Sequence, residues 1–408
     1  MKVIVITSPT EQSYEAEKIS AILQAGVDRV HIRKPDWGVE RVAKLIEGIA
    51  PELRDRLTLH DNFELCADLG VGGVQLNSRN GEIPSGFDGV VSRSCHSIEE
   101  IGGCTSEDYM TLSPIYDSIS KCGYVANFTD EELRNANLGK RVIAMGGVTP
   151  HHIPMLHALG FGGVALLGYI WQSDDSKDED SIGSVVVRAS KAVKMARMCE
   201  NFALQYITHR NDRTNDIEGA RATLKGGSRW VQLRMKGFSD EEFLHNAHLL
   251  KEMCADSGAT FLLNDRVELV KECGADGVHI GKGDMTPIDA RKLLGDGAII
   301  GGTANTTDDI DRLANQGVDY IGLGPFRFTT TKEKLSPTLG LKGYRDAMEY
   351  CHTKGYSVPI VAIGGITVDD IAAIMECGVS GIALSGTILN AEDSVAVTSD
   401  IIDILERY

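Results

Sequence analysis

The residues best able to do chemistry lie in the second half of the chain. Gln232, Arg234 and Lys236 alternate in VQLRMK, and alternation along a strand turns all three to one side. Facing an interior, three polar heads would cost several kcal/mol each without partners, roughly 2–7 on transfer scales. A bound anion would compensate them; on an edge or surface they would be ordinary solvated groups. Asn264 and Asp265 close an apolar run, and Asp284 lies three residues after Gly281. Two carboxylates on neighbouring strand ends can share a hard divalent cation, and Mg2+ usually takes one or two carboxylates with water and phosphate oxygens. Either aspartate alone would read as a helix cap or loop acid. Thr329, Thr331 and Lys332 in GPFRFTTTK offer hydroxyls and an ammonium to phosphate oxygens. Gly364-Gly365 and Ser385-Gly386 would expose backbone amides, and Thr367 with Asp370 reads as a capping box. Tight turns without a ligand would use the same glycines.

The elements that carry these residues recur twice. VHIRKP (Val30–Pro35) parallels VQLRMK (Val231–Lys236), LTLHDNFEL parallels FLLNDRVEL, and VIAMGGVTP parallels IVAIGGITV. The copies lie about half the chain apart, too far for a solenoid repeat, so a whole domain is duplicated. Eight short apolar runs are predicted as strands in the second copy: Phe202–Thr208, Trp230–Met235, Thr260–Asp265, Gly277–Gly281, Ala298–Thr303, Tyr320–Pro325, Pro359–Gly365 and Gly381–Gly386. The first copy has Lys2–Ser8, Arg29–Lys34, Leu57–Asp61, Gly73–Asn77, Gly89–Cys95, Tyr109–Pro114, Arg141–Gly147 and Gly163–Gly168. Most are apolar on both faces, as strands covered on both sides must be, and amphipathic stretches such as Glu241–Asp256 and Val368–Cys377 separate them. The expectation is an α/β chain of two tandem (β/α)8 TIM barrels. The acidic run Gln172–Asp180 reads as a solvated connector, and Ser184–Cys199 mirrors Ser394–Glu406, so the domains are placed at 1–199 and 200–408. In this fold chemistry belongs to the carboxyl ends of the strands, with phosphate favoured after strands seven and eight. All the candidates above fall on that rim, which predicts a site for two phosphorylated groups and Mg2+.

Composition narrows the partners. The 408 residues are 42% hydrophobic and 24% charged, typical of a globular protein and not of a disordered one. Fifty-eight acidic against 41 basic side chains leave a net charge of -17, which repels nucleic acid and anionic membranes but tolerates small anions at a local basic site. No apolar stretch is long enough to span a bilayer. Nine scattered cysteines without a CxxC pair suit free thiols in a reducing compartment, and MKVIVITSPTEQ reads as a first strand, so a cytoplasmic location is expected. The composition is compatible with a homo-oligomer and fixes no oligomeric state.

VQLRMK, LLNDRVEL, ADGVHIGKGDM, DYIGLGPFRFTTTK and VAIGGIT, in this order, resemble the thiamine-phosphate synthase family across essentially all of Phe202–Tyr408. The resemblance implies joining of 4-amino-2-methyl-5-(diphosphooxymethyl)pyrimidine to 4-methyl-5-(2-phosphoethyl)thiazole, or its carboxylated form, with release of diphosphate. It implies that Gln232, Arg234, Lys236, Asn264, Thr303 and Lys332 hold the pyrimidine diphosphate, and that Asp265 and Asp284 bind Mg2+. Thr329, Thr331, Gly365, Ser385 and Gly386 would hold the thiazole phosphate. The family's dissociative route would need the departing diphosphate neutralised by Mg2+, Arg234, Lys236 and Lys332, and no general base. That agrees with the lack of any obvious Ser-His-Asp or Cys-His constellation. Thr303 stands where the family commonly has serine, Phe328 where it usually has proline, and His279 reads as structural.

The first half resembles the thiazole tautomerase branch and divergent synthase copies. Arg33, Asp61, Ser94, Ser118, Ser120, Lys121 and Gly147 keep matching chemistry, so an anion-binding rim is expected to persist there. Asn80 takes the place of Asp284, Pro35 that of Lys236 with Lys34 adjacent, and His60 that of Asn264, which predicts weak Mg2+ binding. His31, His60 and His96 could supply a tautomerase's proton transfers; a degenerate copy kept for packing is the other reading. For the whole chain, the alternatives are a sugar-phosphate isomerase or aldolase on the same fold, and a non-catalytic phosphate-ligand sensor.

Overall fold

Short runs of Val, Ile and Leu without alternation can be satisfied only by strands buried on both faces, and the computed structural model contains sixteen of them among its described residues, 1–118, 125–171, 181–201, 203–328 and 338–408. In the first unit these are Lys2–Ile6, Arg29–Ile32, Leu57–Leu59, Gly73–Leu76, Val90–Cys95, Tyr109–Leu112, Val142–Met145 and Gly163–Leu166 (β1–β8). In the second they are Leu204–Ile207, Trp230–Leu233, Thr260–Asn264, Gly277–Ile280, Ile299–Ala304, Tyr320–Leu323, Ile360–Ile363 and Gly381–Leu384 (β9–β16). Neighbours pair in parallel, β1 closing on β8 and β9 on β16, so each unit is a closed eight-stranded barrel with helices between the strands. The predicted two tandem (β/α)8 barrels are therefore present. The compact units are Met1–Ala196 and Arg197–Tyr408, dividing within the helix Ile182–Asn201. The acidic run 172–180 lies outside the described residues, as do Ser120, Lys121, Thr329, Thr331 and Lys332.

Two local expectations need correction. The strand read as Trp230–Met235 ends at Leu233, because the Arg234 amide donates to the Thr208 hydroxyl at 2.9 Å instead of extending the ladder. Gln232 alone of its trio thus lies on the strand; Arg234 and Lys236 belong to the loop beyond it. Val368–Cys377, read as one amphipathic stretch, is a 3-10 turn, Val368–Asp370, followed by the short helix Ile371–Met375. The Thr367–Asp370 capping box forms, as do those at Ser239–Glu242 and Thr306–Asp309.

The second barrel is filled by large side chains that glycine accommodates. Trp230 and Tyr320 meet edge to face at 4.9 Å, and a Cβ on Gly301 would lie 2.2 Å from the Tyr320 ring. The Tyr320 hydroxyl accepts from Gln205 Nε2 at 3.2 Å and pairs with His279 Nδ1 at 2.9 Å. His279 Nε2 reaches the Thr303 hydroxyl at 2.8 Å, so a polar chain runs from the interior towards the rim. In the first barrel Tyr109 takes the place of Tyr320, and its hydroxyl lies 2.6 Å from Nε2 of His31, which stands on β2 where the second barrel has Gln232. The eight described cysteines are buried free thiols, and no described helix is long and apolar enough to cross a membrane.

Candidate functional site

The carboxyl ends of β11 and β12 bring two carboxylates together. Asp265 follows β11 in a left-handed backbone conformation (φ 66°), which Asp tolerates better than most residues, and its amide donates to the His279 carbonyl at 2.9 Å. Asp284 folds back so that Oδ2 accepts the Gly281 amide at 2.8 Å. A Cβ on Gly281 would lie 2.7 Å from Asp284 Oδ2 and 3.8 Å from Asp265 Oδ1, so Gly281 supplies the space in which the two carboxylates meet. Burial, then the neighbouring Asp284, pushes the Asp265 carboxyl up to about 6, against the pull of Lys236. The Lys236 ammonium stands 3.5 Å from Asp265 Oδ2, two-thirds exposed and facing the rim.

Around this pair the expected polar groups assemble. Gln232 is buried inside the barrel and donates to Asn264 Oδ1 at 2.7 Å, while its own Oε1 is a buried acceptor with no partner among the described residues. Arg234 is half-buried; desolvation lowers its pKa and Asp265 and Asp216 raise it, the balance lying on the low side. Thr303 is oriented by His279. His279, read from the sequence as structural, links Thr303 to the buried Tyr320.

The loops after β15 and β16 form the other side of the rim. Gly364 and Gly365 have φ of 95° and 71°, and a Cβ on Gly365 would lie 2.6 Å from Arg327 Cγ. Turn geometry and close packing both call for glycine here. Arg327, which sequence reasoning missed, ties the loop after β14 to this turn by a two-pronged pair with Asp370, at 2.6 and 2.8 Å. Ser385 and Gly386 open the short helix Gly386–Leu389, and Thr387 donates back to the Ile366 carbonyl.

The first barrel handles the corresponding positions differently. Asp61 is held by Arg79 through Nε and Nη2 at 3.0–3.2 Å and by the Asn80 amide at 2.9 Å. Asn77-Ser78-Arg79-Asn80 corresponds to Gly281-Lys282-Gly283-Asp284, so Arg79 stands where the second barrel has glycine. That substitution was visible in the sequence but passed over. Lys34 does not replace Lys236: its ammonium is buried and bonded to Glu15 at 2.7 Å and to the Thr10 carbonyl at 2.8 Å. The burial of His31 and His60 does not favour the proton transfers expected of them. Both are buried and linked at 3.0 Å; burial holds His31 well below its usual value and brings His60 down to about 3, far from the operating pH that general acid–base work favours. His96 is exposed, with Nδ1 3.1 Å from the Ser113 carbonyl. A cavity of about 770 Å³ opens on this rim, lined among others by Arg33, His60, Arg79, Ser94, His96, Ser118 and Gly147.

Each of several known proteins matches about half of the chain. The thiamine-phosphate synthase of Phocaeicola vulgatus is 54% identical over 201 residues, covering 49% of this chain and 97% of that protein. The thiamine-phosphate synthase of Flavobacterium psychrophilum is 44% identical over 190 residues, 47% of this chain and 92% of its own. A crystal structure of thiamine phosphate pyrophosphorylase from Bacteroides thetaiotaomicron is 32% identical, covering 48% of this chain and 98% of that chain with a TM-score of 0.44. The family model for thiamine monophosphate synthase (TMP-TENI) matches residues 3–170 and again residues 204–388, and the chain belongs to that family.

Proposed function

We propose that the chain is a thiamine-phosphate synthase whose chemistry resides in residues 200–408. There the hydroxymethylpyrimidine diphosphate and the thiazole phosphate are joined, releasing diphosphate. The observation that carries the assignment is the meeting of Asp265 and Asp284 over Gly281 beside Lys236, since only the second barrel has two carboxylates there. The partly desolvated Asp265 and the exposed Asp284 stand within hydrogen-bonding reach, and a hard divalent cation relieves the repulsion between two such carboxylates. The donor set fits Mg2+, which supplies positive charge against diphosphate oxygens when bound.

The remaining groups position substrate and absorb charge. Gln232 and Asn264, already hydrogen-bonded, present amides to the pyrimidine ring, and the Thr303 hydroxyl is aimed by His279. Arg234, half-buried, and Lys236 neutralise the diphosphate as its bond to the pyrimidinylmethyl carbon breaks; Lys332 is assigned the same task. Thr329, Thr331, Gly365, Ser385 and Gly386 hold the thiazole phosphate so that its ring nitrogen faces the departing carbon. The thiazole nitrogen carries its own lone pair, so no residue has to remove a proton from it.

Incubating the purified chain with Mg2+ and both substrates tests this reading. Equimolar thiamine phosphate and diphosphate are expected; substrate binding without product would favour the sensor, and neither binding nor product would reject the assignment.

A further inference from the structure

We infer that Arg210, in the loop after β9, is a positioning residue for the diphosphate: by holding the buried Asp216 it leaves Arg234 and Lys236 facing the rim. The inference rests on the synthase reading and deepens it.

Each barrel serves as the other's control. Both open their first helix with a buried carboxylate, Glu15 in Glu15–Gln24 and Asp216 in Asp216–Lys225. In both, the arginine after the second strand anchors its amide on the threonine after the first, Arg33 on Thr7 and Arg234 on Thr208, each at 2.9 Å. What differs is where the buried carboxylate finds its cation. In the first barrel the residue corresponding to Arg210 is Pro9, and Glu15 draws Lys34 out of the neighbouring loop to 2.7 Å. In the second barrel Arg210 donates Nε and Nη2 to Asp216 Oδ2 at 2.8 and 2.5 Å, and the counterpart of Lys34 is the buried, apolar Met235. A buried carboxylate stripped of its partner is strongly destabilising, so it recruits another cation within its field. Arg234 is such a cation, half-buried and acted on by both Asp265 and Asp216. Arg210 removes that competition. Its guanidinium also lies over the Phe238 ring, 4.0 Å from the centroid, while Arg266 Nη2 donates to the Phe238 carbonyl at 2.6 Å, so the far end of the loop that carries Arg234 and Lys236 is pinned as well. Trp37, in the place of Phe238, instead carries Lys34 and Arg41. Glu242, the other carboxylate that interacts with Arg210, is exposed and engaged in its capping box with Ser239.

The test is calorimetric titration of the full chain with the hydroxymethylpyrimidine diphosphate in Mg2+, which reads binding whether or not product forms. Arg210→Met is expected to weaken binding at least about tenfold, the loss of one charge-assisted contact as Arg234 turns to Asp216. Two variants should bind within about threefold of the parent: Arg210→Lys, which keeps a cation on Asp216, and Arg210→Met with Asp216→Asn, which removes the competing carboxylate. Titration with the thiazole phosphate should shift by no more than about twofold in Arg210→Met, whereas general loosening of the barrel would weaken both ligands. Arg210→Met binding the pyrimidine diphosphate as the parent does, equal weakening of both ligands, or no recovery in the double variant would overturn the inference while leaving the synthase reading intact. A parent chain that does not bind the pyrimidine diphosphate would reject that reading, and this inference with it.

Discussion

Gly281→Ala isolates the contribution of carboxylate convergence. Gly281 is not in the left-handed region, so alanine can adopt its backbone, but the added Cβ would lie 2.7 Å from Asp284 Oδ2. Ordinary contact begins near 3.4 Å, so the carboxylate must retreat by about 0.7 Å and its bond from the Gly281 amide must lengthen or break. A metal site tolerates ligand displacements of about 0.2 Å, and loss of a partner that orients a ligand typically weakens metal binding by about 10–100-fold, or about 1.4–2.7 kcal/mol. The clash is with a side-chain end, so fold stability should change by no more than about 0.5 kcal/mol. Initial rates of thiamine phosphate formation across an Mg2+ titration read the first effect, and thermal unfolding reads the second. A Mg2+ requirement within about twofold of the parent protein would refute the reasoning, because a displacement larger than the site's tolerance would then have no consequence.

Acid sensitivity should trace to the first barrel. His60 is held near 3 when folded against 6.5 when free, so the unfolded chain binds the proton first, and stability present above pH 6.5 is lost as pH falls towards 3. At pH 4.5 the loss from His60 is about 3 kcal/mol, and His60→Gln should make that limb shallower in urea unfolding at several pH values, with the buried His31 still contributing; parallel curves would count against it. Lys34→Ala should cost about 3 kcal/mol by leaving Glu15 charged and buried, measured by denaturant unfolding, whereas a change under about 0.5 would mean the pair is not structural. Tyr320→Phe removes a hydroxyl bonded to Gln205 and His279 and should destabilise by about 1–3 kcal/mol while raising KM for the pyrimidine diphosphate, since Thr303 is aimed through His279.

Architecture was legible because it depends on a pattern repeated many times: buried runs separated by amphipathic stretches, written twice, allow few alternatives to closed barrels. The meeting of the two carboxylates was legible for a similar reason, since Asp265 and Asp284 follow adjacent strands and a parallel barrel puts such ends side by side. Contacts set by loop conformation were not legible. Lys34 looked like a stand-in for Lys236, yet Glu15, far away in sequence, draws it inward. His31 and His60 sit near strand ends on paper, but both side chains are largely buried, which favours their neutral form, although His60 borders the cavity. Arg79 was the opposite case: the residue was in view, but its meaning required knowing that Asp61 lay within its reach.

If the synthase chemistry belongs to the second barrel alone, paired variants at corresponding positions of the two barrels must behave differently. Thiamine phosphate formation should fall by two orders of magnitude or more in Asp284→Ala, because one of only two candidate metal carboxylates is lost and Asp265 is left beside Lys236. Asn80→Ala, which loosens only the Asp61 cluster of the first barrel, should leave the rate within about twofold. Equal losses in the two variants, or a larger loss in Asn80→Ala, would contradict the assignment.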